Sequence, residues 1–171
     1  MKGDSKDMEK GLNTGILDIA FISRQDYHKY DFIELMEDPI YAVMSPKNPL
    51  SMYDPLPIEM LNEAPLLRYI SPTCGEVDTD KVWSMINPKI VYTTNFDFSL
   101  ISMARQDLGI CIVPGLVAEN DNDGVVMRRL SPYICRTLGM AVTQLSEISP
   151  ILEAFIECAK KVFNRERGRK E

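Results

Sequence analysis

Three short stretches combine residues suited to holding a polar ligand. Ser23 and Arg24 follow one apolar run, Ser71-Pro72-Thr73 follows another, and Asn95-Phe96-Asp97-Phe98-Ser99 opens a helix-like pattern. Each sets hydroxyls, amides or a guanidinium beside the unpaired backbone N–H groups of a helix start or strand end, a combination that holds carboxylates and similar groups. Arg24 is the best charge partner for an acid, whereas Asp97 would repel one. Ser, Thr, Asn and Asp at helix starts also serve simply as caps, contributing about 1 kcal/mol each, and Thr73 and Asn95 fit that role equally well. Phe96 and Phe98 suit either a pocket wall or a core, and an arginine after a strand is often merely solvated.

Nothing in the chain assembles catalytic chemistry. His28, the only histidine, lies in a polar stretch with no G-x-S-x-G elbow and no adjacent serine or cysteine to activate. No Gly-rich phosphate loop appears, and no pair of acids stands out, so neither an enzyme nor a cofactor is expected. Cys74, Cys111, Cys135 and Cys158 are widely spaced without a C-x-x-C pair, which argues against a metal site. Cys111 and Cys158 sit in apolar patterns and read as reduced core thiols. Cys74 falls at an expected helix start, a setting that activates thiols, but no second cysteine is near in sequence.

The 171 residues are 45% hydrophobic, enough for a real core, and carry a net charge of -6. That charge disfavours nucleic acid or an anionic membrane as a direct partner. Basic residues gather only in the final stretch, from Lys160 to Lys170, which reads as a solvated tail. The first residues lack the apolar centre of an export signal and no run approaches a membrane span, so a cytoplasmic location is expected.

The elements that must position these residues alternate between strand and helix. Met8 and Leu12 mark a short helix closed near Gly15, and Ile16 to Ile22 is an apolar run of strand length. Phe32 to Met44 is extended but interrupted at Asp38-Pro39, a short helix spans Ile58 to Asn62, and Pro65 to Ile70 is a strand. After Ser71-Pro72-Thr73, Val77, Val82, Trp83 and Ile86 form one apolar face, followed by a strand from Lys89 to Thr93. A helix through Gln106 turns Leu100, Ile101, Ala104 and Leu108 inward and ends at Gly109, and Ile110 to Pro114 is a buried strand. Asn120 to Gly124 is a turn before strands at Val125 to Leu130 and Leu138 to Thr143. Ser149 and Pro150 then open a helix whose stripe is Ile151, Leu152, Phe155, Ile156, Ala159, Val162 and Phe163. This alternation implies an α/β class with a mostly parallel sheet.

Four phrases in this order resemble the effector domains of LysR-type transcriptional regulators. They are Gly15-Ile16-Leu17-Asp18-Ile19-Ala20-Phe21; Tyr41-Ala42-Val43-Met44 with Pro46-Lys47-Asn48-Pro49-Leu50; Leu100 to Pro114; and Leu145 to Phe155. Asn48 replaces a customary histidine and Asp107 a common glycine. The resemblance implies a type II periplasmic-binding-protein-like fold, two lobes joined by two crossover strands with an effector in the cleft. It places effector contacts at Ser23, Arg24, Ser71, Thr73, Asn95, Phe96, Phe98 and Ser99. The lobes would be residues 1–67 with 145–171, and 68–144.

Whole family members begin with a winged helix-turn-helix, and their first lobe opens with a strand and helix not found here. The first lobe is therefore expected to be incomplete, through a shortened reading frame, an excised fragment, or a dimer in which another chain fills the gap. Implied partners are a small-molecule effector, a carboxylate among the suitable chemistries, and a second copy in a homodimer. DNA would be met only through the helix-turn-helix, and no membrane is involved. A solute-binding protein of the same fold, or an orphan dimerising remnant without DNA binding, are the alternatives.

Overall fold

Glycine and backbone hydrogen bonding decide where the first elements stop. The computed structural model describes residues 5–25, 29–70 and 78–167. In chain order the elements are α1 (Ser5–Asn13), β1 (Ala20–Ser23), β2 (Asp31–Met44), β3 (Leu56–Pro57), β4 (Pro65–Tyr69), α2 (Asp80–Met85), β5 (Lys89–Thr94), α3 (Asp97–Arg105), β6 (Ile110–Pro114), α4 (Gly115–Glu119), β7 (Val126–Ser131), β8 (Cys135–Val142) and α5 (Pro150–Arg167). The chain divides into two compact units: a split unit, residues 1–37 with 137–171, and an inserted unit, residues 38–136.

In the split unit, α1 brings Leu12 onto Ala20, Ile22 and Ala141. Gly15, at φ +68°, follows it in the left-handed region that glycine enters at no steric cost. The Gly11 carbonyl then accepts from the N–H groups of Ile16 and Leu17, at 2.9 and 3.0 Å. Those bonds keep both residues out of a sheet, so β1 covers only the end of the expected run and Ile16 is exposed. β1 pairs antiparallel with β8, Ala20 opposite Ala141 and Ser23 opposite Leu138, and β2 flanks β8 on its other side.

Helix α5 starts where the sequence places it, with the Leu152 N–H donating to Ser149 Oγ at 3.3 Å. Its stripe is only half covered. Ile156 is buried against Leu35, Met140 and Val142, with Leu152, Ala159 and Phe163 beside it, but Ile151 is 84% exposed and Phe155 and Val162 are exposed as well. Three strands reach only one side of the stripe. Cys158, on the open side, is exposed rather than a core thiol, whereas Cys111 is buried. Phe155 meets Phe21 edge-on, with centroids 6.3 Å apart.

The inserted unit has a sheet in the order β5-β4-β6-β2, with β7 added to β2 and β3 to β7. Side-chain alternation sorts its residues onto two covered faces. Ile40, Ala42, Leu66, Ile110 and Ile112 face Leu56, Ile58, Leu61, Val82 and Trp83. Val43, Leu67, Cys111 and Val113 face Leu100, Ile101, Ala104 and Ala118.

Several expectations need correction. The sheet is mixed: β4 runs parallel to β5 and β6, but β2 is antiparallel to β6 and β7, and β1 to β8. Unbroken apolar runs report cover on both faces, not strand direction. β2 is continuous through Asp38-Pro39, because Pro39 precedes Ile40, the first residue registered with β6. α3 ends at Arg105, since Asp107 at φ 61° takes the left-handed position, and Leu108 is left exposed. Gly109 is required for another reason, as a Cβ there would lie 2.7 Å from the Pro65 carbonyl oxygen. The boundaries expected at 67/68 and 144/145 differ from those observed, because residues 38–67 supply Leu56, Ile58, Leu61 and Leu66 to the inserted core.

Candidate functional site

Ser23 closes β1 and is 6% exposed, and among the described residues its hydroxyl has no hydrogen-bond partner. A buried, unsatisfied hydroxyl at the end of a strand is a group a polar solute could satisfy. Arg24 follows, with its N–H donating to the Thr137 carbonyl at 2.8 Å. Its guanidinium is exposed, ion-paired to Glu34 and 5.9 Å from the Phe32 ring centroid. It is therefore already neutralised by its own unit.

In the inserted unit, Asn95, Phe96, Phe98 and Ser99 are brought together at the start of α3. Asn95 is not the cap: Phe96 occupies that position, without a side-chain hydrogen bond to the helix. Thr94 Oγ1 instead accepts the Phe96 N–H at 3.2 Å. Phe96 and Phe98 are 66% and 62% exposed, so neither belongs to the core, and Ser99 is half-buried. Ser71 and Thr73, together with Cys74 and Val77, lie outside the described residues, as does His28.

An ion network that the sequence did not reveal lies in the inserted unit, where β2 and β8 enter it. Asp38 Oδ2 accepts from Arg136 Nε at 2.9 Å and lies 2.7 Å from Nη2, while its Oδ1 accepts the Leu116 N–H at 2.9 Å. Arg136 Nη1 donates to Asp78 Oδ2 at 2.5 Å. The Asp38 side chain is 2% exposed, that of Arg136 16% and that of Asp78 32%. Gly115 lets the start of α4 approach, since a Cβ there would lie 2.8 Å from Asp38 Oδ1. The one available signal was an aspartate inside an apolar strand pattern, because a buried carboxylate requires partners.

Elsewhere on the inserted unit the exposed Arg129 donates to the Tyr41 hydroxyl at 3.4 Å, which raises its pKa above the ordinary arginine value. Among the described residues no three acidic, histidine or cysteine side chains converge to hold a metal ion, and no helix is long and apolar enough to cross a membrane.

Comparison with known proteins matches residues 1–164 to the LysR substrate binding domain family. Curated relatives include an uncharacterized HTH-type transcriptional regulator, YvbU, of Bacillus subtilis (strain 168), 26% identical over 96% of this chain and 57% of its own length. A probable HTH-type transcriptional regulator, LrrA, of Synechococcus elongatus is 24% identical over 92% of this chain and 54% of its own. The chain thus spans little more than half of either relative. Among solved structures, reduced OxyR superposes with a TM-score of 0.78 at 19% identity, covering 100% of this chain and 82% of that one. The effector binding domain of QuiR in complex with shikimate gives 0.73 at 22% identity, covering 99% and 80%. At these identities the structural likeness establishes the fold, α/β and periplasmic-binding-protein-like, while the family match extends over almost the whole sequence. The chain belongs to the LysR substrate-binding domain family.

Proposed function

We propose that this chain is the effector-sensing part of a LysR-type transcriptional regulator. The observation that carries the reading is the family match over residues 1–164 together with the fold it shares with effector domains. Ser23 and Arg24 in the split unit, and Ser71, Thr73, Asn95, Phe96, Phe98 and Ser99 in the inserted unit, are the proposed ligand contacts. The unsatisfied Ser23 hydroxyl and the uncapped start of α3 support that assignment. The ligand is a small polar molecule, and the protein acts in the cytoplasm as a homodimer. DNA is engaged through a helix-turn-helix domain that these residues do not include. Ligand binding shifts the conformational equilibrium only as far as the ligand prefers one state over the other.

Isothermal titration of the chain with a metabolite panel that includes shikimate, the molecule bound by QuiR, tests the reading. A saturable ligand is expected, and Ser23→Ala, Thr73→Ala or Asn95→Ala should weaken it by about tenfold, the worth of one buried hydrogen bond. A ligand indifferent to all three substitutions would remove the site assignment, and a panel without any binding would count against effector sensing.

A further inference from the structure

We infer that Arg136 is a carboxylate-binding subsite of the inserted unit, with Asp78 as its resident occupant. This rests on the effector-sensing reading above and adds to Arg24, which is paired to Glu34 in the split unit, a second cation, in the inserted unit.

The two aspartates on Arg136 are held very differently. Asp38 receives contacts from Nε and Nη2 of Arg136 and from the Leu116 N–H, and its side chain is 2% exposed. Asp78 receives one contact, from Nη1, and a third of its side chain meets solvent. Asp38 is therefore a fixed counter-ion, while Asp78 sits on the side from which a solute can approach. A guanidinium carries five N–H donors. At most three of those on Arg136 are engaged by the described residues, which leaves two for a further acceptor. A planar carboxylate can use the fork with both oxygens, whereas Asp78 uses one. An incoming carboxylate that displaces Asp78 leaves the number of charges around Arg136 unchanged, so exchange buries no additional charge. Four other arginines of the inserted unit are less suited, Arg68 lying over the Trp83 ring at 5.0 Å from its centroid. Arg105 and Arg128 donate to backbone carbonyls, of Asp123 at 2.8 Å and Ser51 at 2.7 Å, and Arg129 lies exposed on Tyr41.

Thermal unfolding of the 171-residue chain, titrated with sodium benzoate against sodium chloride of equal ionic strength, tests the subsite. Benzoate should raise the midpoint beyond the chloride control, with a half-saturating concentration about tenfold lower in Asp78→Ala than in the parent, since one charge-assisted competitor is gone. Asp78→Asn, which keeps the side-chain size, should shift it the same way and guards against a poorly folded alanine variant. Adding Arg136→Lys to Asp78→Ala keeps a positive charge beside Asp38 but loses the fork, and should return half-saturation to the parent value or above. No benzoate response in either Asp78 variant, half-saturation unchanged by both, or a gain that persists with Arg136→Lys would overturn the inference. Effector sensing would still stand on a panel ligand whose affinity ignores Asp78 and Arg136, so the two failures are separable.

Discussion

The inserted unit covers both faces of its sheet, while the split unit leaves half of its longest helix stripe open. In the first, α3 turns Leu100, Ile101 and Ala104 fully inward against β4 and β6. In the second, α5 has the more pronounced stripe, yet Ile151, Phe155 and Val162 remain exposed. Apolar periodicity therefore names the face of a helix that can be buried, and the width of the opposing sheet decides how much of it is.

Following each unit separately makes this contrast measurable. Trp83, the only tryptophan, lies in the inserted core, so its fluorescence during urea unfolding reports that unit, and far-UV circular dichroism reports both. The largest effect should come from Arg136→Met, which strands the buried Asp38 carboxylate and should cost about 3–5 kcal/mol. Arg24→Met removes an exposed pair in the split unit and should cost under about 1 kcal/mol; equal losses would erase the contrast in electrostatics. Next, Leu100→Ala should cost about 2–5 kcal/mol, through lost burial and the cavity left behind. Ile151→Ala, on the open side of α5, should stay within about 0.5 kcal/mol, and a larger loss would mean that something covers that side in solution. Gly109→Ala, which drives a methyl onto the Pro65 carbonyl, should destabilise the inserted unit by about 1–3 kcal/mol. One substitution should be a gain. Asp107→Gly relieves a left-handed residue at φ 61° and should add up to about 1 kcal/mol, net of the greater freedom glycine has when unfolded.

Much of the element order was legible because it depends on local chemistry. Ser149 and Pro150 mark the start of α5, Ile110 to Pro114 is fully buried as its composition requires, and the short helix at Ile58–Asn62 falls where expected. What escaped was set by distant parts of the chain. Strand direction depends on which strand arrives alongside, and the Gly11 carbonyl that captures Ile16 and Leu17 shortens β1 without altering the apolar pattern. Asp38 reads as an interruption until Arg136 and Leu116, far along the sequence, supply its partners. Ser23 and the start of α3 were legible as a strand end and a helix start, positions that leave polar groups over, but the exposure of Phe96 and Phe98 was not.

The split unit has a consequence for how the chain comes into being. Its sheet needs Ala20 beside Ala141, so during synthesis α1 and β1 must wait while all of residues 38–136 are made. The inserted unit, contiguous in sequence, can fold as soon as it clears the ribosome. The earlier segment then keeps Leu12, Ala20 and Ile22 with Met8, Leu17, Tyr30 and Phe32 but without Ala141 until β8 follows, the interval in which a chaperone has most to shield.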